Sequence, residues 1–88
     1  MTSEEFSREL RRAGFRDIVV VEREPEGRLG EHSHPFESRA LILSGEISLI
    51  VAGRESCYRP GDVFHLGNGQ IHEEWYAPAG VRYLVGRK

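Results

Sequence analysis

Two histidines, His32 and His34, stand one residue apart in the stretch GEHSHPFESRALILSG, residues 30–45. Alternate side chains of an extended chain share a face, so a strand here would aim both imidazoles the same way. Imidazole nitrogen suits first-row divalent ions such as zinc, iron, nickel and copper, and suits magnesium or calcium poorly. A carboxylate, Glu37, follows closely, but in a regular strand its parity turns it away from both histidines. A bulge near Pro35 and Phe36 would shift the register by one and bring Glu37 inward. Alone, such a histidine pair is more often a polar pair on a strand than a metal site.

Few other residues carry obvious chemistry. Tyr58, Tyr76, Glu37 and Glu74 are the available acid–base groups. Cys57 has no base adjacent in sequence and is expected to be a small buried hydrophobe. Trp75 and Tyr76 suit packing, with a pocket mouth or subunit contact as the other use. Phe36 fits a core or a pocket wall, and Asp62 should tie its turn by side-chain to backbone hydrogen bonds.

These residues are positioned by one short helix and a series of strands. Thr2 and Glu5 have capping-box spacing, Phe6, Leu10 and Ala13 fall on one face, and Gly14 is a stop, predicting a helix over about 3–14. At about three turns it is marginal alone, so its Phe6 and Leu10 edge must dock. Strand signals follow at Ile18–Val21, Ala40–Leu43, Ile47–Val51, Val63–Leu66, Ile71–Tyr76 and Val81–Val85. Breaks fall at 24–27, Ser44-Gly45, Ala52-Gly53, 60–62, 67–69 and 77–80. Short strands with closely spaced turns predict a β-sandwich or barrel.

Composition narrows the class. The 88 residues, 39% hydrophobic and 30% charged, make one small domain, 1–88, with a modest core. A net charge of -2 argues against nucleic-acid binding, and no apolar run nears the roughly 18 residues that span a bilayer. A polar, acidic start and a single cysteine predict a cytoplasmic protein without an internal disulfide. Ala40–Leu43 holds too many buried-type residues for a strand with one wet face, so a homodimer is expected to cover it.

The residues also resemble a known family. Gly27, His32, His34 and Gly45 fit the first motif of the cupin superfamily, and Pro60-Gly61-Asp62, the Val63–Leu66 strand, Gly69 and His72 fit the second. The resemblance runs from about Ile18 to Val85 and implies an all-β, jelly-roll-like antiparallel barrel over about 17–86 behind the N-terminal helix. It makes His72 the third ligand beside His32 and His34. Counting back from Gly45 puts Ser38 where the family carries a metal-binding glutamate; Gly67 and Tyr76 also depart from the motif. Serine is too weak a ligand to replace a carboxylate at neutral pH. The implied centre is therefore His32, His34 and His72 with iron, zinc, nickel, manganese or copper, and Glu37 is the first choice for a fourth ligand, ahead of Glu74, which shares the parity of His72. His65 lies outside the motif positions and reads as a rim or surface residue.

Three imidazoles with open positions match a catalytic rather than a closed site. The resemblance implies a metal-dependent oxygenase or isomerase acting on a small molecule, or alternatively a non-catalytic barrel that senses or stores a small ligand or metal. Whether there is turnover stays open at this level.

Overall fold

The computed structural model describes residues 1–88. The capping box forms as its spacing predicts: Thr2 Oγ1 accepts from the Glu5 amide at 3.1 Å, and Glu5 Oε1 accepts from the Thr2 amide at 2.9 Å. Helix α1, Ser3–Arg12, ends two residues before the predicted limit, with Ala13 as its cap and Gly14 turning out of the helix at φ 87°. Phe6 and Leu10 are buried on its inner face.

Six strands follow: β1 Val19–Arg23, β2 Arg28–His32, β3 Ser38–Val51, β4 Arg54–Tyr58, β5 Val63–Leu66 and β6 His72–Arg87. All pairings are antiparallel, and β3 and β6 pair along most of their length. In one half of the molecule the order is β1–β6–β3–β5, and in the other it is β2–β6–β3–β4. The two long strands thus serve both halves, giving a small jelly-roll-like barrel with one helix.

Two expected turns, Ser44-Gly45 and residues 77–80, are corners within continuous strands instead. At both places the chain bends without reversing, and the β3–β6 register shifts between Ile42 and Ser44 and again between Gly45 and Ile47. Gly45 and Gly80 meet there at φ 74° each. A Cβ on Gly45 would stand 2.0 Å from the Gly80 carbonyl oxygen, so the crossing of β3 and β6 admits no side chain at this point. The shift also swaps parity. Ala40 and Ile42 face inward before the corner of β3, and Ile47 and Leu49 after it; Tyr76 faces inward before the corner of β6, and Val81, Tyr83 and Val85 after it.

The apolar run Ala40–Leu43 is buried on both sides by this chain alone. Ala40 and Ile42 enter the barrel core, whereas Leu41, with Leu84, faces outward beneath Phe6, Leu10 and Phe15. The docked helix therefore provides the cover that was expected from a second subunit. No helix is long and apolar enough to cross a membrane.

Candidate functional site

The histidines converge inside the barrel because β2 and β6 run side by side. His32 ends β2 directly opposite His72, the first residue of β6, after an irregularity in pairing between Leu29 and His32. His34 follows two residues later, outside the strand. Glu74 lies two residues beyond His72 and so shares its face, as does Tyr76. One potential ligand atom from each of His32, His34, His72 and Glu74 falls within 4.8 Å of all the others. His72 and Glu74 are buried, at 2% and 5% exposure, while His32 and His34 are half-buried toward the barrel mouth.

Hydrogen bonds orient the group. His32 Nδ1 lies 2.7 Å from the Gly30 carbonyl oxygen and His72 Nδ1 lies 3.0 Å from that of Gln70. A carbonyl only accepts, so each Nδ1 carries the proton and each Nε2 of a neutral ring presents a lone pair. Both lone pairs point at Glu74 Oε2, at 3.0 and 3.1 Å. The other carboxylate oxygen, Oε1, accepts from the Tyr76 hydroxyl at 3.0 Å. Burial, reinforced by the Glu74 carboxylate, pushes the Tyr76 phenol up, which keeps it a donor. Burial, then the neighbouring His32 and His72, holds His34 below the ordinary imidazole range, so its ring is neutral at neutral pH.

With both rings neutral, two imidazole lone pairs and a carboxylate oxygen meet at hydrogen-bond distance as three acceptors, which a metal ion or a proton on one ring would join. Protonating both rings would set two like charges on imidazoles whose centroids are 4.2 Å apart. A transition ion fits the separations: with metal–ligand bonds of about 2.1 Å, ligand atoms at right angles lie roughly 3 Å apart. The Nδ1 contacts to backbone carbonyls are also the support that metal-bound histidines commonly have.

Among the residues singled out from sequence, His32, His34 and His72 come together, and Glu37 does not join them. The Glu37 amide donates to the Lys88 carbonyl and the Lys88 amide to that of Glu37, both at 2.9 Å, extending the β3–β6 ladder by one pair. No bulge forms there, parity holds, and Glu37 turns outward to pair with the exposed His65. That contact is the main reason its carboxyl lies below its usual range. Glu74, ranked behind it, takes the place in the group. The signal for Glu74 was present in the sequence as its shared parity with His72, but Glu37 stood nearer the first motif. Ser38 is buried on the inner face, where the motif places it. Cys57 is exposed, contrary to expectation, because Tyr58 takes the inward parity beside it. Trp75 is likewise outward, with the Arg28 guanidinium 4.6 Å above its ring, and Asp62 Oδ2 accepts from the Arg59 amide as its turn requires.

Beside the cluster, a cavity of about 50 Å³ opens into the other half of the barrel. His34, Glu74, Ser38 and Tyr83 line one part of it, and Phe64 and Leu66 another. A ligand entering it would meet the histidine–carboxylate group directly.

Residues 19–83 match the family model of the cupin domain. No curated protein matches the chain in sequence. Among solved structures, the chain is similar to a protein of unknown function from Rhizobium leguminosarum, with TM-score 0.75 and 16% identity over 80% of this chain and 66% of that one. It is similar to the DMSP lyase DddQ from Ruegeria pomeroyi, with TM-score 0.72 and 25% identity over 81% of this chain and 36% of that one. It is also similar to the cupin domain of Schizosaccharomyces pombe Cnp3, with TM-score 0.71 and 18% identity over 80% and 53%. The chain thus spans less than two thirds of the length of each.

Proposed function

The chain belongs to the cupin family, and on that footing we propose that it binds a divalent transition ion through His32, His34, His72 and Glu74 and presents it to a small molecule. The observation that carries this is the meeting of two Nε2 lone pairs with Glu74 Oε2, a set of acceptors that a cation completes. Three imidazoles and one carboxylate suit iron, zinc, nickel, manganese or copper. Such an ion, when bound, supplies Lewis acidity and, if redox-active, a site for dioxygen. The chain's own residues do the rest: Gly30 and Gln70 fix two ring orientations, Tyr76 holds the carboxylate, and the barrel wall limits water.

The likeness to a DMSP lyase favours turnover of a small molecule at this centre, with isomerase or oxygenase chemistry open to the same donor set. A non-catalytic sensor or store is the second reading, favoured by the scarcity of proton-transfer groups on the cavity wall. There, burial and then Glu74 push Tyr83 up, which keeps its phenol protonated and a weak acid. Zinc titration by calorimetry and metal analysis of protein purified without added metal test the proposal. Stoichiometric binding that is lost in His72→Ala is expected; a wild-type protein with no affinity for zinc, iron, nickel, manganese or copper refutes it. Small-molecule turnover by the loaded protein then separates enzyme from sensor. We also propose a homodimer, supported by the exposed apolar residues Val20, Leu29, Ile71 and Trp75; a monomer in light scattering at micromolar concentration refutes it.

A further inference from the structure

The cavity beside the metal-binding group carries more charge information than its histidines. Its wall includes two guanidinium groups, Arg23 from β1 and Arg87 from the end of β6. Neither is used in an ion pair: the arginines that are paired with carboxylates are Arg28, Arg59 and Arg82, all on the outside. Arg87 packs on Phe36, its guanidinium carbon 5.2 Å from the ring centroid, which holds the group beside the cavity without neutralising it. Glu74 is the lone carboxylate on the wall and faces His32 and His72. Two cations against one committed anion leave the cavity net positive, and a bound divalent ion would increase that excess. Phe36, Phe64, Leu66 and Val85 make the apolar part of the wall, beside the hydroxyls of Ser38 and Tyr83. At about 50 Å³ the enclosed space is far below that of a drug-sized pocket.

We propose that this cavity binds a short aliphatic carboxylate, drawn in by the Arg23 and Arg87 guanidinium groups beside His34 and Glu74. The inference rests on the metal-binding reading of the cluster and names the ligand class of the same site. A planar carboxylate suits guanidinium donors, and the pairing is worth most where walls exclude water. The apolar wall selects a short hydrocarbon body over a sugar or nucleotide. Arg23 lies opposite Val81 and Arg87 near the far end of β6, so the two cations reach the cavity from different sides.

Acetate and its neutral isostere acetamide are the probes, titrated by calorimetry and by amide chemical shifts into zinc-loaded and metal-free protein. Wild type should bind acetate at least about tenfold more tightly than acetamide, and Arg23→Gln and Arg87→Gln should each lose about tenfold in acetate affinity. Zinc binding should be retained, with no loss of affinity, in both variants, and Arg82→Gln, whose partner is the exposed Glu22, should behave as wild type in every respect. Chemical-shift changes on acetate binding should fall on Ser38, Phe64 and Leu66. If zinc binds but acetate binds no better than acetamide, or the Arg23 and Arg87 variants bind acetate like wild type, the carboxylate assignment is wrong and the metal centre stands. If wild type takes up no metal, both fall. Far-ultraviolet circular dichroism identifies a misfolded variant, and Arg87→Lys, which keeps the charge over Phe36, then replaces Arg87→Gln with a smaller expected loss of acetate affinity.

Discussion

Glu74→Gln should move two properties in opposite directions. In the metal-free protein, Glu74 Oε2 faces two imidazole lone pairs at 3.0 and 3.1 Å, while Oε1 accepts from Tyr76. A glutamine keeps its oxygen for Tyr76 and turns an amide nitrogen, with two donor hydrogens, toward both Nε2 atoms. With both rings neutral, two acceptor–acceptor contacts become two hydrogen bonds, and a buried charge disappears. A net gain of about 1 kcal/mol is reasonable for such a change. In a domain of this size that raises the melting temperature by roughly 4–8 °C. Metal binding should respond in the other sense. A four-ligand zinc site is worth about 10–16 kcal/mol, so losing one anionic ligand costs on the order of 2.5–4 kcal/mol. At about 1.4 kcal/mol per decade, that is a hundred- to thousandfold weaker dissociation constant.

The assay is a thermal melt of the metal-free proteins with a competition titration using a chromophoric zinc chelator. Glu37→Gln is the matched control, because it removes a carboxylate from the same neighbourhood that points away toward His65. It should leave zinc affinity within about twofold of wild type. Unchanged zinc affinity in Glu74→Gln would remove Glu74 from the ligand set. A lower melting temperature in metal-free Glu74→Gln would show that a proton already bridges Glu74 and a histidine, and would refute the lone-pair argument.

Three further outcomes test how the fold holds the site. Leu10→Ala, at a position with 0% exposure beneath which Leu41 and Leu84 pack, should cost about 2–5 kcal/mol in urea unfolding; a cost below about 1 kcal/mol would mean the helix is not part of the core. Gly45→Ala should cost about 3 kcal/mol or more, since it adds a Cβ 2.0 Å from the Gly80 oxygen at φ 74°; wild-type stability would refute the tight crossing of β3 and β6. Acid should loosen the helix N-terminus: the hydrogen bond from the Thr2 backbone holds the Glu5 carboxyl below its unfolded value. Its stabilising contribution is therefore present above the unfolded carboxylate pKa and is lost as pH falls through the lower folded one. Glu5→Gln should flatten that part of the pH–stability profile, and an unchanged profile would refute it.

Local signals in the sequence located the elements, and the differences arise where distant segments meet. The capping box and the Phe6–Leu10 spacing are short-range facts, and the helix follows them. Strand signals around Ile47 and Val81 are equally local, and both segments are strands. Gly45 and residues 77–80 carry the same residue types that make a turn, and only the partner strand decides between reversal and bend. Of β2, only the His32 end reads as strand, because RLGEH has no alternation of apolar and polar residues; four of its five residues are exposed, and pairing with β6 rather than burial holds it. The cover that α1 gives Leu41 was out of reach for the same reason, because the helix that docks on that face lies far away in sequence.

The fourth member of the cluster shows the same division most sharply. The motif count put the vacancy at Ser38, and the search for a carboxylate stayed within the same segment, at Glu37. Parity alone disfavoured Glu37, and the Lys88 pairing shows why no bulge rescues it: a bulge would have cost both hydrogen bonds that join the ends of β3 and β6. A barrel interior is shared by all its strands, so a ligand absent from one can come from another whose inward positions reach the same point. β6 already points His72 and Tyr76 inward, and Glu74 between them faces both His32 and His72 while accepting from Tyr76. A small residue at 38 then leaves room on the cavity wall rather than a defect in the site. The relation between Ser38 and Glu74 is one of geometry across the barrel, and it predicts that the carboxylate, not its strand of origin, is what the histidines require.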